Sequence, residues 1–146
     1  MTVSFFVEGA ARGKQRPRTV RKDGVTRTYT PKETKEYEQL VKSAYLREAK
    51  GAFFDGPVSV TLSVFVEPPK SASKAKKNEM LLLPEKVWPT KRPDLDNVAK
   101  SICDALNKVA YMDDAQIVQL FVARHYGFKS GVNVTIREVS NEQSVS

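Results

Sequence analysis

The sequence predicts an α+β domain, a small mixed β-sheet with two main helices packed on it. Three observations carry that expectation. Apolar–polar alternation recurs at Thr2–Glu8 and 57–66, a period of two that marks half-buried strands, and 115–125 and 131–139 also read as strands. Two other stretches space their apolar residues at the helical period. The resulting order, β-hairpin-α-β-loop-α-β-β, fits two helices laid on one sheet. At 146 residues the chain suits a single domain, 1–146, because compact domains usually run ~100–150 residues.

Thr2–Glu8 alternates around Val3, Phe5 and Val7 and reads as the first strand. The basic stretch ARGKQRPRTVRKDGVTRTYT follows, carrying Arg12, Lys14, Arg16, Arg18, Arg21, Lys22 and Arg27. Asp23-Gly24 at its centre, between Val20 and Val25, is a hairpin-turn signal, so an exposed basic loop with a short hairpin is expected. A helix comes next. Thr30 suits the N-cap, Pro31 the first helical position, and Glu33 completes a capping box. Tyr37, Leu40, Val41, Ala44 and Tyr45 then form one apolar stripe, expected to be core, and Gly51 ends the helix.

Residues 57–66 alternate cleanly, with Val58, Val60, Leu62, Val64 and Val66 on one face. Residues 67–92 are a long connection punctuated by Pro68, Pro69, Pro84 and Pro89. Within it, SKAKKNEMLLL suits a short helix capped by Ser73. Connections of this length are uncommon unless functional or mobile. The second main helix is expected at 97–108, with Val98, Ile102 and Leu106 on one face and Ala99 and Cys103 beside it. Strands at 115–125 and 131–139, joined by a turn at 126–130, close the domain. Residues 140–146 read as a polar, frayed tail.

Composition narrows the function. A single cysteine, Cys103, and a single histidine, His125, exclude a disulfide framework, a multi-cysteine zinc site and His-pair chemistry. No apolar run approaches the ~18 residues of a membrane span, and no leader pattern opens the chain. A cytoplasmic location and no membrane partner are expected. Lys and Arg number 24 against 17 Asp and Glu, for a net +7, which favours a polyanionic partner. The distribution is uneven. Residues 12–50 hold 12 basic and 5 acidic side chains, 67–92 hold 7 and 3, but 93–115 hold 2 and 5. An acidic island lies within basic surroundings.

The island is KRPDLDNVAKSICDALNKVAYMDDAQI, residues 91–117. Asp94 and Asp96 precede the expected helix, Lys100 lies one turn inside it, and Asp113-Asp114 follow its end. One acid at a helix start is a cap. Two acids there and a second pair downstream exceed what capping needs. Hard divalent cations take oxygen ligands, typically one or two carboxylates with water and substrate phosphate. An EF-hand does not fit, for neither the loop Gly nor the terminal Glu is present. Bringing Asp114 back to Asp94 requires the chain to retrace a helix about 18 Å long at ~1.5 Å per residue, with residues 109–112 as an extended leg. Lys100, four residues after Asp96, shares its helical face and suits a phosphate or an ion pair with Asp96 or Asp104. Asp113 suits a turn cap, Asn97 a supporting or capping role, and Trp88 either packing or stacking on an unpaired base.

The run PDLDN-x₂-K-x₃-DAL, followed by Y-x-DDAQI, resembles the RusA family of Holliday junction resolvases, endodeoxyribonucleases common in phages and prophages. GKQRPR and TYTPKETKEYE resemble the form of this family found in Gram-positive bacteria and their phages. The resemblance spans roughly residues 3–138. It implies a RusA-like fold and a homodimer that resolves branched, four-way DNA with Mg²⁺, Mn²⁺ substituting, in recombination and repair at the nucleoid. No small-molecule cofactor is implied. By the resemblance the metal ligands are Asp94, Asp96 and Asp114, and the functional lysine is Lys100. The DNA-binding candidates, chosen from the basic stretches, are Lys14, Arg16, Arg18, Arg21, Lys22, Arg27, Lys91 and Arg92. Two other readings stay open: a branched-DNA-binding module that does not cut, and a metal-dependent nuclease acting on another nucleic-acid structure.

Overall fold

A computed structural model describes residues 1–140; the expected frayed tail lies almost wholly outside the described residues. The elements are β1 (Thr2–Glu8), β2 (Arg18–Lys22), β3 (Val25–Tyr29), α1 (Lys32–Ala49), β4 (Val58–Val66), α2 (Lys74–Leu82), α3 (Leu95–Ala105), a 3₁₀ turn (Asp114–Gln116), β5 (Ile117–Tyr126) and β6 (Gly131–Glu138). The four-stranded sheet has the order β1-β6-β4-β5, and β2 and β3 form a separate hairpin. β6 runs antiparallel to both β1 and β4, whereas β4 and β5 are parallel. The sheet is therefore mixed, as expected. Parallel neighbours need a crossover connection, and residues 67–116 supply it. The long irregular segment thus has a topological reason for its length.

Alternation in the strands becomes one buried face. Val3, Phe5 and Val7 of β1, Val58, Val60, Leu62 and Val64 of β4, and Val132, Val134 and Ile136 of β6 are all in the core. Tyr37, Val41, Ala44 and Tyr45 of α1 and Val98, Ile102 and Cys103 of α3 meet them. Phe5 and Tyr45 pack edge to face with centroids 5.6 Å apart, a geometry the ring quadrupoles favour.

Several local expectations shift. The capping box at Thr30 does not form: α1 begins at Lys32, flanked by extended Pro31, with no side chain capping it. Glu33 is therefore one position too early for its part in the box. Leu40 is 42% exposed, because the buried stripe is centred on the side of Thr34, Val41 and Tyr45 and Leu40 lies at its margin. A third helix, α2, forms where the short one was expected, with the Ser73 Oγ accepting the Lys76 N–H at 3.1 Å. The second main helix runs Leu95–Ala105 rather than 97–108, starting two residues earlier and stopping three earlier. At the hairpin tip Asp23 (φ 53°) and Gly24 (φ 77°) both take left-handed backbone, the type I′ turn that Asp-Gly favours.

Candidate active site

α3 presents the first acids. Asp94 is its N-cap, with extended backbone (φ −65°, ψ 139°), yet its carboxylate makes no capping hydrogen bond. That side chain is not used by the helix. Asp96 lies in the first turn. Asp94 and Asp96 both border one depression, together with Lys100. Asp96, Lys100 and Asp104, each four apart, form a single column.

The second acidic pair arrives by a tighter path than the expected extended leg. Beyond Ala105 the chain winds on itself, with Val109 N–H donating to Leu106 O at 3.0 Å and Ala110 N–H to the same carbonyl at 2.9 Å. Lys108 takes left-handed backbone at φ 65°. Tyr111 then plugs the core, and its hydroxyl donates to the Cys103 carbonyl at 2.8 Å. The chain is thus sent back along only the last turn of α3, and Asp114 comes within hydrogen-bonding reach of Asp104. Gln116 holds this turn. Its Oε1 accepts the N–H groups of Met112 (2.9 Å) and Asp113 (3.2 Å), and its Nε2 donates to the carbonyls of Phe54 and Gly56, both at 2.9 Å.

Asp96, Lys100, Asp104 and Asp114 line one cavity of about 670 Å³, whose other wall is the start of β5. Asp94 lies in an adjoining depression shared with Asp96, Lys100, Lys14 and Arg16. The electrostatics are uneven. Asp104 receives the Lys14 Nζ at 2.6 Å, and its carboxyl is held below the ordinary value: burial pushes it upward, but the hydrogen bonds from Lys14 and Asp114 outweigh that. Asp114 is pushed up to about 6, chiefly because it shares a hydrogen bond with Asp104, then by burial and by Asp113. Below about pH 6 the two neighbouring carboxyls can thus share a proton. The expected Lys100–Asp104 ion pair is replaced by Lys14–Asp104. The reason is that residues 13–14 lie across the start of α3, where Lys14 N–H donates to Asn97 O at 3.4 Å. Gly13 permits that approach, since a Cβ there would stand 2.9 Å from Asn97 Nδ2.

Of the basic candidates, Lys14 and Arg16 border the second hollow. Arg18 and Arg92 line a depression beside Asp94 and Asn97, Lys91 is exposed nearby, and Arg21, Lys22 and Arg27 are exposed on the β2–β3 hairpin. Sequence reasoning gave Asp104 only a structural ion pair and passed over Gln116. The i, i+4, i+8 column from Asp96 pointed to the first, and Gln three residues after Asp113 pointed to the second as a capping-box partner.

The family model for endodeoxyribonuclease RusA matches residues 8–137. The chain belongs to the RusA family. It is 35% identical over 138 residues, 94% of its own length and 97% of the relative's, to the uncharacterized protein YqaN of Bacillus subtilis (strain 168). It is also 42% identical over 53 residues, 36% of this chain and 40% of the relative, to the crossover junction endodeoxyribonuclease rusA of Lactococcus phage r1t.

RusA membership implies a divalent metal, and the donors fit one in kind. All are carboxylate oxygens, the ligands of Mg²⁺. In arrangement the set is open. Among the described residues no three of His, Cys, Asp and Glu are gathered closely enough to hold one ion. The expected convergence of Asp94, Asp96 and Asp114 is thus realised only as two adjoining hollows, joined by Asp96 and Lys100.

Proposed function

We infer that this protein is a Mg²⁺-dependent endodeoxyribonuclease, accepting Mn²⁺ as well, that resolves four-way DNA junctions as a homodimer in recombination and repair. The observation carrying this reading is the cavity in which Asp96, Lys100, Asp104 and Asp114 meet inside a basic rim. Asp94, Asp96 and Asp114 would hold the ion. When bound it supplies an acidified water and a Lewis acid for the phosphoryl group. The chain's own residues do the rest. Lys100, between the two hollows, holds the scissile phosphate and opposes the charge that builds on it. Lys14 keeps Asp104 ionised and so anchors Asp114. Arg16, Arg18 and Arg92 draw the phosphate backbone toward the acids, with Lys91 and the hairpin residues Arg21, Lys22 and Arg27 extending the track.

A symmetric junction requires two opposed cuts, and a two-fold dimer supplies two equivalent sites. The start of β5 supports such a pairing: it is an edge strand, and Val118, Leu120 and Phe121 are exposed there beside the acidic cavity. Exposed apolar edges are otherwise a liability. No helix among the described residues is long and apolar enough to cross a membrane, and we place the enzyme at the nucleoid of a bacterial or phage-infected cell. The test is cleavage of a synthetic four-way junction beside linear duplex, with and without Mg²⁺. Paired nicks in the junction alone, dependent on metal, are expected. Tight junction binding with no cleavage in Mg²⁺ or Mn²⁺ would overturn catalysis in favour of a binding module.

A further inference from the structure

Trp88 is the sole tryptophan of the chain, and it is 52% exposed. An indole is costly to leave in water without a partner, yet this one is not loose. It leans on the His125 ring with centroids 5.2 Å apart, and His125 in turn leans on Phe65 at 6.2 Å. The segment that carries it is tied to the sheet by Arg124, whose guanidinium donates to the carbonyls of Lys91 and Pro93. Beside Trp88 lies a cavity of about 480 Å³ lined by Pro89, Leu95 and Val122, with Asp94 and Arg124 on its wall. The hollow is apolar and aromatic, held in place, and opens directly onto an acid of the cleavage site. Exposed Lys91 and Arg92 follow in sequence, placing positive charge where a phosphate backbone would enter.

We propose that Trp88 and this cavity form a subsite for one unstacked nucleobase of the DNA strand being cut, adjacent to the phosphate at Asp94. The proposal rests on the DNA-cleaving reading and adds to it a specificity-determining contact. Base–aromatic stacking tolerates any base because each has a π-face, so the subsite selects for an unpaired or distorted nucleotide, as at a branch point, over paired duplex.

Because Trp88 is the only tryptophan, its fluorescence reports on the subsite directly. The full-length protein in EDTA, where nothing is cut, is titrated with a fluorescein-labelled four-way junction, with labelled oligothymidylate and with linear duplex. Anisotropy of the label measures binding independently of the indole. Quenching that saturates together with the anisotropy rise for junction and single strand, and is weak for duplex, is expected. Trp88→Ala should lose about tenfold in junction affinity and Trp88→Phe much less, with both variants checked for native circular dichroism. An anisotropy rise with unquenched Trp88, or equal affinity for wild type and Trp88→Ala, would overturn the subsite and leave the DNA reading standing. No anisotropy rise with any DNA would overturn both.

Discussion

Asp96, Lys100 and Asp104 put acid, base and acid on one face of α3, and Asp114 closes the set from across the cavity. On the proposed reading the acids and the cations divide the labour: the carboxylates would hold metal, whereas affinity for DNA would come from Lys and Arg through counterion release. Asp96→Asn should therefore lower metal-dependent cutting by more than about a hundredfold, the loss that even supporting residues of a metal site produce, while junction binding in a gel shift is retained or improved. The shared proton makes a second prediction. The folded-state value of Asp114, about 6, exceeds its ordinary 3.8. Between those values the native state holds a proton that the unfolded chain has lost. That contribution to stability is present below about 3.8 and is lost as pH rises through about 6. Thermal melts in EDTA at pH 4.5 and 7.5, compared with Asp114→Asn, should show wild type losing more stability across the interval, and Mg²⁺ should reverse the loss at the upper pH. Asp94 and Asp96 were legible in sequence as acids beyond the needs of capping, and the Asp94 carboxylate makes no capping hydrogen bond. The partner of Asp104 was not legible, because Lys14 lies 90 positions away.

At the scale of elements, local rules held wherever local chemistry decides. Asp-Gly made its hairpin turn, Ser73 capped α2, and alternation marked β1, β4 and β6 of the sheet. They failed at the ends of α1 and α3, where packing decides. α3 stops at Ala105 because Tyr111 occupies a core position and its hydroxyl takes the Cys103 carbonyl, leaving no room for the helix to continue. The turn that carries Asp113 and Asp114 is held by all four bonds of Gln116. Gln116→Ala should destabilise the fold by about 1–3 kcal/mol, the cost of leaving such groups unpaired, and lower cutting more than DNA binding, since it frees Asp114 without touching the basic rim. Urea denaturation and a junction cleavage assay check the two halves.

For the whole molecule the free edge of β5 makes a prediction of its own. Exposed Leu120 lines the acidic cavity and exposed Phe121 follows it on the same strand, so a second copy pairing there would bring two sites to one assembly. Wild type should sediment as a dimer at micromolar concentration, and Phe121→Lys as a monomer that turns paired junction cuts into single nicks; a monomeric wild type would overturn the pairing, and a dimeric variant would move the interface elsewhere.

The residues alone were enough to specify the strands, the hairpin, the two main helices and the acids of α3, because alternation, helical period and turn chemistry act over a few positions. The motif also carried the family, since its spacing is local. Which carboxylates meet depended on the tertiary structure. The parallel pairing of β4 with β5 forces a long crossover, the burial of Tyr111 ends α3 early, and the crossing of residues 13–14 over α3 delivers Lys14 to Asp104. Each joins residues far apart in sequence, and core packing rather than local preference selects among such contacts.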